Sequence, residues 1–400
     1  MRVLIAHSFF HARGGDTTYA RTLERGLVRA GHEVAWLSMR HPANDPSPWE
    51  RWFVPWRDLR DLRGVRATSS AALRYVWDLR SQRFAADLID KFKPDVLHLQ
   101  HVHRHLTPSI VEPARRAGIP VVWTTHDYEL ICPAGTLWTN HATCERCLGH
   151  RYHEAVRHRC KRDSAALSTL AALEKRTHHA LGLWEKIDRF LCPSRFLADK
   201  LVAFGVPAAR VTALPNGYDA PAFEPAPGNG WLFAGRLSEE KGVHVLIDAA
   251  RTVDAPLDVC GDGALRDAVL AVPNVRVHGH LSPHALEQRL RRAAVVVVPS
   301  VWWENLPYAV IEAQALGRAV VASRTGGIPE LIESGVDGLL VPPGDASALA
   351  DAVRQLLSDP ALARRLGDAA SARVRARHDL DHHVTRVVEE YGKCIGPGVL

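Results

Sequence analysis

Short, almost wholly apolar runs alternate along this chain with stretches whose apolar residues recur every three to four positions, and the alternation occurs twice. The first run, residues 3–6, gives way to a Gly14-Gly15 turn. From Thr17 a helical pattern follows in which Tyr19, Leu23 and Leu27 share one face, with Gly31 placed as its stop. Runs at 33–38, 96–99, 121–125, 190–192 and 211–214 predict further strands. Between them lie an irregular stretch carrying Trp49, Trp52, Phe53 and Trp56, a long amphipathic helix up to about Lys91, and a helix ending near Gly118. A Cys- and His-rich insertion follows over about 132–162, then helices near 164–182 and 196–204. The second half repeats the logic, with strands at 231–234, 257–260, 275–278, 295–298, 320–322 and 338–341 and a final helical segment from Ala346 to about Lys393.

Strands that are apolar almost throughout, separated by helices, predict parallel sheets covered on both faces. The fold class is therefore α/β, as two Rossmann-like, doubly wound parallel-sheet domains, with a cleft between domains as the natural ligand site. Residues 215–230 hold four prolines and three glycines and read as the linker. The expected organisation is an N-terminal domain over 1–215, a linker over 216–230, a second domain over 231–380 and a C-terminal helix over 381–400 that packs back on the first domain.

Composition narrows the class. Four hundred residues exceed one ordinary core, and 46% hydrophobic with 24% charged residues is the balance of a globular chain. No apolar run approaches the roughly 20 residues needed to cross a bilayer, and the amino terminus lacks a basic region followed by a long apolar stretch. The expectation is a cytoplasmic protein. A formal charge of +6 favours anionic partners without identifying one. Seven cysteines in a reducing compartment argue against a disulfide framework.

In parallel sheets ligands bind beyond the carboxyl ends of strands, where loops run into helix amino termini. After the first strand of the second half comes Gly235-Arg236-Leu237-Ser238-Glu239-Glu240-Lys241-Gly242. There Arg236 can fork two phosphate oxygens and Lys241 adds a point charge. A surface loop with incidental cations would carry the same residue types. More specific is the run from Pro299 to Glu312, where an apolar strand ends, Glu304 lies in a loop, and a helix begins around Pro307. Glu312 interrupts the apolar residues of that helix, and carboxylates accept hydrogen bonds well from sugar and ribose hydroxyls.

Taken in order, these residues resemble the family of retaining GT-B glycosyltransferases numbered four. Glu304 and Glu312 match its E-x7-E motif, and Gly235-Arg236-Leu237 with Lys241-Gly242 matches its phosphate loop. Gly261-Asp262-Gly263, Gly326-Gly327-Ile328-Pro329-Glu330 and Asp337-Gly338-Leu339-Leu340-Val341 follow in the family's order. In the first half, Gly14-Gly15, Gly31-His32-Glu33-Val34 and His126-Asp127 fit the glycine loop, second strand and catalytic His-Asp. The resemblance implies a retaining transferase that moves a sugar from a nucleotide-diphosphate donor, UDP or GDP, to a glycan, lipid-linked or small-molecule acceptor. Arg236 and Lys241 would hold the diphosphate, Glu304 the donor sugar, Glu312 the ribose, and amides at Asn305 and Leu306 would add donors. His126 would sit near the transferred sugar and Gly15 would let its loop approach the diphosphate. No cofactor or metal would be required for catalysis. Two departures stand out: Pro307 occupies a place where many members have Gly, and Thr17 one where an acidic residue is frequent.

Cys132, Cys144, Cys147 and Cys160 form C-x11-C-x2-C-x12-C, which fits a tetrahedral structural zinc; reduced thiols in an acceptor loop fit equally. The insertion also carries Arg146, Arg151, Arg157, Arg159, Lys161 and Arg162. With Trp49, Trp52 and Trp56 it fits an anionic bilayer or a lipid-diphosphate acceptor, while the tryptophans fit equally as core or as the walls of an acceptor pocket. A nicotinamide-type oxidoreductase is disfavoured because neither half opens with G-x-G-x-x-G after its first strand, and no nucleic-acid-binding module is present. A sugar-nucleotide epimerase of the same architecture, or a non-catalytic sugar-nucleotide binder, are the remaining alternatives.

Overall fold

The computed structural model describes residues 1–11, 14–56, 72–222 and 227–395. The start of the predicted long helix, residues 223–226 of the predicted linker and residues 396–400 lie outside the described residues. The chain divides into two compact units, one comprising Met1–Leu137, Glu145–Gly217 and Leu380–Leu400, the other Trp138–Cys144 and Tyr218–Asp379.

In the first unit β1 (Arg2–Ala6) leads through α1 (Gly15–Arg29) to β2 (Glu33–Leu37), and α2 (Leu79–Phe92) leads to β3 (Val96–Leu99) and β4 (Val121–Thr124). The Asp78 side chain caps α2 by accepting from Arg80 N, satisfying one of the donors a helix start leaves open. Next in the chain comes a hairpin of β5 (Trp138–Thr139) and β6 (Ala142–Thr143), whose residues group with the second unit. Its strands are too short for any alternation to register in sequence. The first sheet is completed by β7 (Arg189–Cys192) and β8 (Val211–Ala213), in the order β2-β1-β3-β4-β7-β8 with every pairing parallel. Strand order reverses between β1 and β3, and a crevice outside the carboxyl ends opens at such a switch point.

The second unit repeats the plan with β9 (Trp231–Ala234), β10 (Leu257–Cys260), β11 (Val275–Gly279), β12 (Val295–Val298), β13 (Ala319–Ser323) and β14 (Leu339–Val341). Their order is β11-β10-β9-β12-β13-β14, all parallel, with the reversal between β9 and β12. Four consecutive valines make β12, and they alternate between two cores. Val295 and Val297 join Leu246, Val259 and Val353 on one face, while Val296 and Val298 join Val310, Ile311 and Ile328 on the other. All four are buried, and full burial of each is worth about 2 kcal/mol. Helices α3 (Val243–Ala250) and α4 (Tyr308–Ala315) follow the loops after β9 and β12. Pro307 is the extended residue just before α4, at φ −71° and ψ 118°, rather than a member of its first turn.

Beyond the second unit the chain re-enters the first as α5 (Leu380–Ile395). Its Tyr391 hydroxyl lies 2.6 Å from Nδ1 of the fully buried His98, whose Nε2 is 2.8 Å from Thr124 Oγ1. His383 Nε2 lies 3.0 Å from the Tyr19 hydroxyl of α1. Among the described residues no helix is long and apolar enough to cross a membrane.

Candidate active site

In the second unit the polar residues gather at the carboxyl ends of β9 and β12, on the two sides of the switch point. Lys241, in the turn before α3, donates from Nζ to Glu304 Oε1 at 2.7 Å and sits 5.1 Å above the Trp302 ring. Ser300 Oγ donates to the same carboxylate oxygen at 2.5 Å. Burial works to raise the Glu304 pKa, but the Lys241 charge and these hydrogen bonds outweigh it and hold the carboxyl below its ordinary value. Arg236 is exposed, with Nη1 3.5 Å from Glu240 Oε1. Asn305 and Leu306 are at the edge of full burial just ahead of α4. Inside α4, burial alone pushes the Glu312 carboxyl up to about 7.

Two glycines allow these loops to close on one another. Gly242 adopts φ +71°, and a Cβ there would stand 1.8 Å from Pro299 O at the end of β12. Gly326 adopts φ +58°, and its Cβ would meet Glu304 O at 2.1 Å, while Gly327 N donates to that same carbonyl at 2.8 Å. The glycine pair after β13 thus fixes the backbone that carries Glu304.

In the first unit Gly15 is the exposed first residue of α1, with Gly14 as an extended cap that offers no side chain. Thr17 is buried, and the acid comes one position earlier: Asp16 Oδ2 lies 3.3 Å from Nε2 of the fully buried His7. Burial opposes ionisation of Asp16, yet His7, His101 and His126 together hold its carboxyl far below the usual range. His126, beyond β4, pairs through Nε2 with Gln100 Oε1 at 2.7 Å and packs against the Tyr19 ring at 5.0 Å. Burial lowers its pKa to about 3, so the imidazole is neutral at pH 7. Asp127 is pushed the other way, its pKa raised by burial. Gln100, His101, His103, His126 and Asp127 line a small recess of about 10 Å³, room for about one water molecule. Asp16, His7, Gln100, His101 and Glu129 were not singled out in sequence; the one local signal, for Gln100 and His101, is the run of histidines at 101, 103 and 105 directly after an apolar strand.

Among the described residues, one set of three or more His, Cys, Asp or Glu side chains brings its ligand atoms within 4.8 Å of one another: His101, Asp127 and Glu129. The Arg104 guanidinium pairs with Glu129, and Lys161 Nζ is 3.9 Å from it, so this set already has its countercharge. Cys132, Cys144, Cys147 and Cys160 are not members of that set. Lys161 also departs from the surface reading. It turns inward, donating to Ala134 O at 3.1 Å, and burial lowers its pKa to about 7, whereas Arg146, Arg151, Arg157, Arg159 and Arg162 are exposed.

The family model described as Glycosyltransferase Family 4 matches residues 13–220, and that described as Glycosyl transferases group 1 matches residues 228–359. Glycogen synthase of Mycobacterium tuberculosis is 30% identical over 94% of this chain and 91% of its own length. The chain belongs to glycosyltransferase family 4. Its fold is the two-domain GT-B fold. Sucrose-phosphate synthase from Thermosynechococcus elongatus superposes with a TM-score of 0.72 at 20% identity, covering 98% of each chain. The Anabaena protein HepE, solved with UDP-glucose, gives 0.68 at 16% identity over 97% of this chain and 98% of its own. This family 4 glycosyltransferase carries the Lys241–Glu304 pair at the switch point of its second sheet and the His126 recess at the ends of β3 and β4 in its first.

Proposed function

We propose that this enzyme transfers a sugar, with retention at the anomeric carbon, from a UDP-sugar to a hydroxyl of a glycan or lipid-linked saccharide. The observation that carries this reading is the ion pair of Lys241 with the buried Glu304 beside the exposed Arg236, all at the carboxyl ends of β9 and β12. Arg236 and Lys241 hold the donor diphosphate there. As the bond from the anomeric carbon to the diphosphate oxygen breaks, negative charge grows on the leaving group, and two fixed cations stabilise it without reorganising. The acceptor oxygen attacks from the same face and its proton passes to the departing phosphate, which preserves the configuration. Glu304 accepts from hydroxyls of the sugar and Glu312 from the ribose; the amides of Asn305 and Leu306 add donors. Neutral His126 offers a hydrogen-bond partner to the transferred sugar, and exposed Gly15 lets its loop approach the diphosphate. The choice of UDP is supported by the UDP-glucose complex of HepE.

The test is thermal unfolding of the full chain with UDP, GDP, ADP, CDP and TDP, with Arg236→Ala as control. UDP at about 100 times its dissociation constant adds roughly 2.7 kcal/mol of stability to the unsubstituted protein and much less to the variant. Stabilisation by GDP alone replaces the donor; stabilisation by none removes the reading. The exposed arginines of the insertion support a further part of it, peripheral binding to an anionic cytoplasmic membrane face. Co-sedimentation with phosphatidylserine vesicles that fades with salt is the expected result, and equal sedimentation with neutral vesicles defeats it.

A further inference from the structure

Buried polar side chains tie helix α5 to three other elements of the first unit. The helix supplies His383 and Tyr391, about two turns apart on its buried face. Between them stand Tyr19 of α1, Thr124 at the end of β4 and His98 of β3, all almost wholly buried. The Tyr391 hydroxyl lies 2.6 Å from His98 Nδ1, His98 Nε2 is 2.8 Å from Thr124 Oγ1, and the Tyr19 hydroxyl is 3.0 Å from His383 Nε2. Thr124 also hydrogen-bonds the Tyr19 hydroxyl, which joins the two ends. The series therefore leaves α5, crosses two strands and α1, and returns to α5. Gly26 lets α1 come that close, because a Cβ there would stand 2.5 Å from Val384 Cγ2 of α5.

These bonds have a direction. Burial lowers the His98 pKa to about 3, so at pH 7 its ring is neutral and has one N–H. Tyr391, Thr124 and Tyr19 have one hydroxyl hydrogen each. Bonds drawn in series from such groups all run the same way, since reversing one sets two hydrogens or two lone pairs against each other. Among the described residues the Tyr391 hydroxyl has no polar neighbour but His98 Nδ1, so the reverse sense would leave its hydrogen buried and unpaired. Tyr391 therefore donates to His98 Nδ1, His98 Nε2–H to Thr124, Thr124 to Tyr19, and Tyr19 to His383 Nε2. Thr124 favours ionisation of Tyr19, as a donor to its oxygen would.

The series runs against His126. Thr124 lies two residues before it, and the Tyr19 ring packs on the imidazole at 5.0 Å and 62°, while His126 Nε2 pairs with Gln100 Oε1 at 2.7 Å. We propose that this one-way relay holds the His126 ring on Gln100, making Tyr19, Thr124 and His98 positioning residues for glycosyl transfer. Helix α5 is then the element that anchors the relay at both ends. The role in transfer rests on the glycosyl-transfer reading; the relay itself does not.

Long-range ¹H–¹⁵N NMR of the full chain with labelled histidine, at pH 7, reads the tautomers directly. His98 should carry its hydrogen on Nε2 and His383 on Nδ1, and any other protonation state at either ring overturns the relay. Thr124→Val removes the hydroxyl at nearly constant shape, and Thr124→Ser keeps it. Exchange of the His126 Nε2–H with water should quicken about tenfold or more in the first and stay within about threefold in the second. Backbone amides of β1, in the same unit, should stay within about threefold in both. Unchanged exchange at His126 in Thr124→Val, or β1 amides that quicken by the same factor, overturns the positioning role. Tyr19→Phe, which keeps a ring on His126, should repeat the Thr124→Val result and decides the point if that variant does not fold. Turnover of UDP-glucose gives the catalytic readout: kcat should fall about tenfold in Thr124→Val with the donor KM within about threefold. Full kcat in that variant overturns the role in transfer. No turnover by the unsubstituted chain strikes the donor reading instead, and the NMR alone then decides the relay.

Discussion

The two sheets reverse strand order in the same way, yet they treat charge differently at the point of reversal. The second unit places a cation, Lys241, directly on a buried carboxylate and leaves Arg236 reaching outward from an exposed loop. The first unit buries its titratable groups in a nest in which His7, His98 and His126 stay neutral and Asp16 is held ionised by the imidazoles around it. Fixed charge suits a site that must meet an anion. Neutral, hydrogen-bonding imidazole suits one that must meet hydroxyls. The difference says that the same crevice can be furnished for an ionic or a polar ligand by the loops alone.

The contrast can be broken or sharpened by substitution, starting from the largest effect. Arg236→Ala should lower kcat/KM about 10²–10³-fold with the melting temperature unchanged, since the side chain is exposed; steady-state kinetics against acceptor-saturated enzyme would show it. Lys241→Ala leaves Glu304 buried without its countercharge and should cost about 3 kcal/mol in chemical denaturation. Adding Glu304→Gln to that variant should return most of the loss, and a purely additive double variant would mean the pair is not coupled.

Acid and base should pull the two units apart. His98 and His126 have folded pKa values of about 3 against an ordinary 6.5, so the unfolded chain binds more protons between those values. Their contribution to stability is present above pH 6.5 and lost as pH falls toward 3. Glu312 runs the opposite way. Its folded pKa of about 7 exceeds the ordinary 4.5, so its contribution is whole below pH 4.5 and lost as pH rises through 7. Glu312→Gln should therefore stabilise the protein by about 3 kcal/mol at pH 8 and by little at pH 4.5, and equal effects at both would contradict the buried carboxyl. The smallest effect expected is Tyr391→Phe, about 1 kcal/mol, from the loss of the hydroxyl paired with His98.

Much of this was readable in the chain, for identifiable reasons. The strands showed because central parallel strands are apolar on both faces, as the four valines of β12 are. The donor-side residues showed because they are nearly contiguous: Gly235 to Gly242 make one loop and Ser300 to Glu312 the other. The nest in the first unit draws His7, Gln100, His101 and His126 from the ends of three strands and Asp16 from the first turn of α1, and no local spacing announces that they meet. Thr17 is buried in the first turn of α1, and the pairing of the neighbouring Asp16 with His7 joins residues of a helix start and a strand end that no spacing links. The β5–β6 hairpin and the inward turn of Lys161 depend on tertiary contacts that composition cannot carry.

Helix α5 gives the chain an unusual order of manufacture. The buried pairing of His98 with Tyr391 joins a residue made before the second unit to one made after it. At roughly 5–20 residues per second, a ribosome needs roughly 10–30 s to lay down residues 218–379, and throughout that time the first unit lacks its final helix. Of the two units, the one begun first is therefore finished last, and a stop codon at the start of α5 would spare the second unit while leaving the first without its final helix.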